Sequence, residues 1–351
     1  MNFEKYKDFG LTGLSNLGNT CFLNSTIQCL SHTYELNDFL NSEKYTQKLK
    51  KKHDSLLLVE YDNLRKMMWE ENCVISPGRF VSIVQKVATL KGRDLFTGFA
   101  QNDLPEFLMF LMDCFHNSIQ RSVEMNINGT PKDTTDKLAI KCYKMMKTMY
   151  NKDYSEFLDM FYGIHVSSVS DMHDNVLNQT PEPYFLISLP IPKDKQNPTL
   201  YDCFDLYTEN EELKIDEKTK QDERYDHEGK KINAIRNIKF WSFPDILIVD
   251  LKRFANENRK IQKVIHFPLE DLDLSKYCIG YNKKSYVYDL YGICNHSGGT
   301  QGGHYNAFIK TANEEWHFFN DTSVSKIEVV DDINLITSKA YCLFYRKKNI
   351  E

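Results

Sequence analysis

The sequence predicts an α+β fold. Apolar residues spaced three and four apart dominate its first third, short aromatic and β-branched runs fill its second half, and the two kinds do not alternate. With 351 residues, 41% hydrophobic and 26% charged, the chain has material for one large domain or two ordinary ones.

Residues 1–10 form a charged lead-in without the apolar core of a signal peptide. In "GLSNLGNTCFLNSTIQCL", residues 13–30, a Gly-Asn-Thr turn precedes Cys21, and Leu23, Ile27 and Leu30 mark one helix face. Cys21 therefore falls in the first turn of a helix. Two readings stand: a small core residue, or a nucleophile whose thiolate the helix N-terminus favours. Leu57, Tyr61, Leu64 and Met68 predict a second helix, and Phe80, Ile83, Val84 and Val87 a third. In "QNDLPEFLMFLMDCF", Asp103 fits an N-cap and Glu106 completes a capping box three residues on. Leu104, Leu108, Leu111 and Phe115 then form a buried stripe. Residues 122–137 read as a polar loop, and 138–162 as a return to helix.

Six runs read as strands: 184–189, 245–251, 286–293, 304–310, 316–320 and 341–346. Between them, 209–231 is charge-dense and fits an exposed hairpin or a loop.

A net charge of −5 argues against a nucleic-acid partner. No apolar run reaches membrane-spanning length, so no membrane partner is expected. Nine cysteines, an odd number without a Cys-x-x-Cys, fit reduced thiols in a cytoplasmic or nuclear setting. The sequon at Asn24 lies on the helix after Cys21 and reads as chance.

A thiol nucleophile needs a base, which can be distant in sequence. His304 follows the glycine loop "NHSGGTQGG" and opens an apolar strand, a fitting place beside a cleft; a plain loop–strand junction explains it as well. Asn320 ends the next strand, where a hairpin sets it beside His304, and Asp321 offers a full charge as further support. The Asn16 carboxamide and the Cys21 N–H are candidate oxyanion donors; Asn16 equally fits a plain turn cap.

Together these segments resemble the ubiquitin-specific protease family, papain-like cysteine deubiquitinases. "GLSNLGNTCFLNSTIQCL" is similar to the family's Cys box, and "GGHYNAFIK" with "EWHFFNDTSV" to its His box. Between them "QNDLPEFLMFLMD", "SEFLDMFYG", "PDILIVDLKRF", "HFPLEDLDLSKY" and "YGICNHSGG" follow in the family's order. The likeness runs from about residue 11 to 346, and the catalytic domain is set at 11–348. It implies Cys21 as nucleophile, His304 as base, Asn320 as third member and Asn16 as oxyanion donor. The implied architecture is a right hand: a helical thumb over about 11–160, then a palm and β-fingers over about 161–348. Ubiquitin is the implied partner and no cofactor is called for. Tyr305 resembles the wall of the slot for its Gly-Gly tail, Asp103 and Glu106 resemble acidic positions for the basic tail, and Phe267 resembles a groove-lining aromatic or is plain core.

The chain departs from the family at the fingers, where members commonly hold zinc with two Cys-x-x-Cys pairs. Here "SSVSDMHD" (167–174) and "DERYDHEGKK" (222–231) carry His173 and His227 but no cysteine. Two histidines without thiolates make a poor structural site, so no metal is expected. A ubiquitin-binding module with a relic site, or a protease for another modifier ending in Gly-Gly, remains the alternative.

Overall fold

The computed structural model describes residues 3–213, 233–254, 259–299, 302–329 and 334–348. Seven of its helices precede residue 162: α1 (Cys21–Ser31), α2 (Tyr34–Asn41), α3 (His53–Glu70), α4 (Gly78–Leu90), α5 (Leu104–Ile119), α6 (Thr134–Asp153) and α7 (Glu156–Phe161). The apolar stripes of α3 and α5 are buried as their periodicity predicts. The lead-in is packed: Tyr6 stacks on Tyr34 at 4.5 Å and donates to Asp38 at 2.5 Å.

α1 departs from the one-faced expectation, because every one of its residues is buried. Its polar side chains find partners inside. Asn24 Nδ2 donates to the Leu14 carbonyl at 3.2 Å and Gln28 Nε2 to that of Thr12 at 2.7 Å. Asn24 is thus out of a glycan's reach.

The expected helix over 138–162 starts earlier, at Thr134, because Asp133 caps it through the Asp136 N–H at 2.8 Å. It is also two helices. Ser155, fully buried in the break, shares a 2.7 Å hydrogen bond with His116 of α5, which is half-buried.

Strands dominate from Gly163 onward. Before them, β1 (Gly13–Leu14) and β2 (Val74–Ile75) form a short parallel pair. The next are β3 (Gly163–Asp171), β4 (Val176–Tyr184) and β5 (Leu186–Leu189), followed by α8 (Leu200–Thr208). Then come β6 (Glu211–Leu213), β7 (Ala234–Ser242), β8 (Ile246–Leu251), β9 (Leu272–Asp273), β10 (Val287–Gly299), β11 (Gly302–Lys310), β12 (Trp316–Asn320), β13 (Ser323–Lys326) and β14 (Ala340–Lys347).

A large eight-stranded sheet runs β13-β12-β11-β10-β14-β8-β5, with β9 on β10; β5–β8 is its one parallel pair. Alternate side chains split between two cores. Ile246 and Ile248 of β8, with Cys342 and Phe344 of β14, face the core shared with α1, α3, α4 and α5. Leu247 and Val249, with Leu343 and Tyr345, face a second core closed by Leu200 and Phe204 of α8. Burial on both faces explains the unbroken apolar run of β8.

A small four-stranded sheet, β4-β3-β7-β6, lies apart from it. Leu138, Ala139 and Cys142 of α6 cover Ile164, Val166 and Trp241 there. Sequence patterning missed β3, β7 and most of β4. Of the charge-dense stretch, 211–213 is strand β6, and 214–232 lies outside the described residues.

Candidate active site

The turn before α1 is knitted by its own side chains. Asn16 Oδ1 accepts from the Gly18 N–H at 3.2 Å and the Thr20 N–H at 3.1 Å, and Thr20 Oγ1 accepts from the Leu17 N–H at 2.9 Å. Asn19 takes a left-handed conformation, φ 57°, which asparagine tolerates. Cys21 follows as the first residue of α1, as the sequence predicts.

The Cys21 sulfur lies within hydrogen-bond range of the Tyr305 backbone N–H, next in β11 to His304. Burial raises its pKa above the usual thiol value, and the Asp321 charge adds to that, outweighing the N–H groups that favour thiolate. The helix N-terminus therefore does not ionise this thiol unaided.

β11 and β12 form the expected hairpin, pairing Ala307 with Phe319. His304 Nε2 and Asn320 Oδ1 lie 2.5 Å apart. A carbonyl oxygen only accepts, so Nε2 carries the proton and Nδ1 of the neutral ring is left as acceptor.

Asp321 does not support His304. Its Oδ2 accepts from Asn16 Nδ2 at 3.0 Å, its Oδ1 from Asn24 Nδ2 at 2.8 Å, and its carbonyl from the Leu14 N–H at 2.9 Å. Both carboxylate oxygens are thus turned toward the turn and helix of Cys21. Asn16 serves as turn cap through its oxygen while Asp321 holds its nitrogen. One amide hydrogen remains for a further acceptor.

A cleft of about 280 Å³ opens beside Cys21, walled by Gln101, Asp103, Gly302, Gly303 and Tyr305, with His296 and Tyr341 behind. The expected capping box is not formed. Asp103 sits at the N-cap of α5 without a side-chain cap bond, and its Oδ1 accepts the Tyr305 hydroxyl at 3.1 Å and the Tyr341 hydroxyl at 2.8 Å. Burial raises its pKa. Glu106 is exposed one turn along α5. Phe267 lies in the second core, so it is core rather than groove lining.

Two residues of the cleft escaped sequence reasoning. His296 is buried among Tyr305, Tyr341 and Phe254, with its ring 4.6 Å from that of Tyr305. Burial lowers its pKa to about 4, so the ring is neutral. A Cβ on Gly303 would fall 2.2 Å from His296 Nε2, which is why that position carries no side chain. Gln101 reaches across the cleft, accepting from the Gly303 N–H at 2.7 Å and donating to its carbonyl at 3.1 Å. Both residues stood in quoted motifs, "QND" and "NHSGG", without a periodic or charge signal of their own.

No zinc centre assembles from the described residues. His173 is exposed on the β3–β4 turn, with no cysteine between residues 167 and 174, and His227 lies outside them. Asp54, Asp113 and Cys114 converge elsewhere, but the Lys91 ammonium already bridges the two carboxylates at 2.5 and 2.9 Å.

Comparison with known proteins gives this geometry its context. The family model described as "Ubiquitin carboxyl-terminal hydrolase" matches residues 12–345. Ubiquitin carboxyl-terminal hydrolase 2 of Bos taurus is 35% identical over 350 residues, 96% of this chain and 55% of that protein. Ubiquitin carboxyl-terminal hydrolase 21 of Homo sapiens is 31% identical, covering 96% of this chain and 61% of its own. The chain thus spans little more than half the length of these relatives. Among solved structures, the SAGA Ubp8/Sgf11/Sus1/Sgf73 DUB module bound to ubiquitin aldehyde superposes with a TM-score of 0.74 at 25% identity, over 99% of this chain and 71% of that one. The match begins just before the turn that leads to Cys21 and ends within β14, so sequence and fold agree over all the residues described above: the chain belongs to the ubiquitin carboxyl-terminal hydrolase family.

Proposed function

We propose that this chain is a thiol-dependent deubiquitinase that hydrolyses the peptide or isopeptide bond after the C-terminal glycine of ubiquitin. The observation that carries the reading is a pair of contacts made by adjacent residues of β11, one holding a buried thiol and the other an oriented imidazole. Cys21 faces the N–H of Tyr305 while Asn320 fixes the proton on the far nitrogen of His304. His304 Nδ1 takes the Cys21 proton and the thiolate attacks the carbonyl carbon of the terminal glycine. The oxyanion is met by the Cys21 N–H and the remaining Asn16 amide hydrogen. His304 returns the proton to the leaving amine, and water, deprotonated by the same imidazole, frees the acyl group.

Substrate choice follows from the walls. Tyr305 and the Gly302–Gly303 rim suit a tail without side chains, and Asp103 and Glu106 set acidic groups beside its basic residues. The nine free thiols favour a cytoplasmic or nuclear setting. Ubiquitin carrying a C-terminal electrophile tests the reading: a covalent adduct at Cys21, absent from Cys21→Ala, is expected. Binding without an adduct would leave a relic module, and no binding would point to another modifier.

A further inference from the structure

Gly298 pairs with Gly303 and Gly299 with Gly302 at the paired tip of the β10–β11 ladder, and His304 follows at once. Glycine backbone has more conformations to lose than any other, so these four residues stiffen the strand end beside His304 less than others would. Nor can a larger residue stiffen Gly303, because His296 occupies the space of its Cβ.

Gln101 supplies what the tip lacks. Its Oε1 accepts from the Gly303 N–H at 2.7 Å, and its Nε2 donates to the Gly303 carbonyl at 3.1 Å and to Asn19 Oδ1 at 3.4 Å. One acceptor and two donor hydrogens are all matched, and turning the amide over would set donors against an N–H. Gly303 is therefore gripped by both its backbone groups, as a neighbouring strand would grip it. Asn19 is tied down in turn, donating from Nδ2 to the Phe99 carbonyl at 2.9 Å. Asn19 stands two residues before the nucleophile and Gly303 one before the base.

We infer that Gln101 is a positioning residue, a single carboxamide that fixes the turn bearing Cys21 relative to the strand bearing His304. This role rests on the thiol–imidazole chemistry proposed above. It does not require Gln101 to touch substrate. Being exposed, Gln101 can be replaced without disturbing the core.

The test compares wild type with Gln101→Ala and Gln101→Glu. Iodoacetamide alkylation, read as modified Cys21 peptide against pH, reports the Cys21–His304 pairing without ubiquitin. Turnover of ubiquitin bearing a C-terminal fluorogenic amide gives kcat and KM. Gln101→Ala should lower kcat about tenfold with KM within about twofold, and slow alkylation at neutral pH by a similar factor. Its alkylation profile should move to higher pH, with an unchanged melting temperature. Gln101→Glu should do no better, since its second oxygen faces the Gly303 carbonyl and Asn19 Oδ1. A rise in KM alone, with alkylation unchanged, would overturn the inference and make Gln101 a substrate contact. A lowered melting temperature with an unshifted alkylation profile would also overturn it. If wild type fails to turn over ubiquitin while alkylation still depends on Gln101, the proposed substrate falls and the positioning role stands.

Discussion

In the large sheet, β8 is buried along its whole length and shares its side chains between two cores; in the small sheet, β4 buries one residue of nine, Tyr184. The large sheet carries His304 and Asn320, and α1 is buried against it. Cys21, His304, Asn16 and Asp321 all lie away from the small sheet. The difference teaches that the candidate site sits on the sheet whose central strands are packed on both faces, although β11 and β12 themselves are only partly buried, since close packing transmits small displacements to neighbouring groups.

Five outcomes sharpen this contrast or break it. The largest is at α1. Cys21→Ala should abolish turnover and keep ubiquitin binding, while Cys29→Ala, two turns deeper and fully buried, should mainly lower the melting temperature. Turnover by Cys21→Ala would remove the site from the large sheet altogether.

Next come Asn16 and Asp321. Loss of an oxyanion donor costs about 10²–10³ in kcat. Asn16→Ala should fall in that range, and so should Asp321→Ala, because Asp321 holds the Asn16 nitrogen. The double variant should be little worse than either single one. Additive losses in kcat would show that Asp321 acts independently.

Third, Leu343→Ala in β14 should cost about 2–5 kcal/mol in denaturant unfolding, and Val176→Ala in exposed β4 less than about 0.5 kcal/mol. Equal costs would erase the distinction between the sheets.

Fourth, acid should strike the large sheet's flank. His32 follows α1, fully buried beside Phe319 and Trp69, and burial lowers its pKa from 6.5 to about 4. The unfolded chain then takes up a proton at higher pH than the folded one. Stability from this group is complete above about pH 6.5 and is lost as pH falls through about 4. His32→Phe should flatten that slope in melting curves across the window. The smallest effect is expected of a chelator, which should leave melting temperature and turnover unchanged; lost activity with released zinc would overturn the metal-free reading of the small sheet.

The same contrast decided what the sequence disclosed. "DILIVDL" and "YCLFYR" read as strands because two cores demand unbroken apolar runs. "VLNQTPEPY" has one face in water and two prolines, and it resembles a loop. Cys21 and Asn320 were legible because one opens α1 and the other closes β12, and His304 because it follows the glycines that begin β11. Asp321 was not, because the choice between His304 and two asparagines depends on how α1 docks against β12. Asp103 misled for a similar reason: two tyrosine hydroxyls from distant strands claim the carboxylate that local spacing assigns to a cap. Gln101 acts on the backbone of a glycine across the cleft, and no pattern in its own neighbourhood points there.

β14, residues 340–347, lies in the middle of the large sheet, between β10 and β8. On a ribosome, the sheet cannot close until β14 has been made. Cys21 is made well before His304, and the strand that pairs with β10 comes later still. Pairings of such long sequence separation form slowly. A nascent chain that has made Cys21 but not β14 therefore holds the thiol apart from a locked His304.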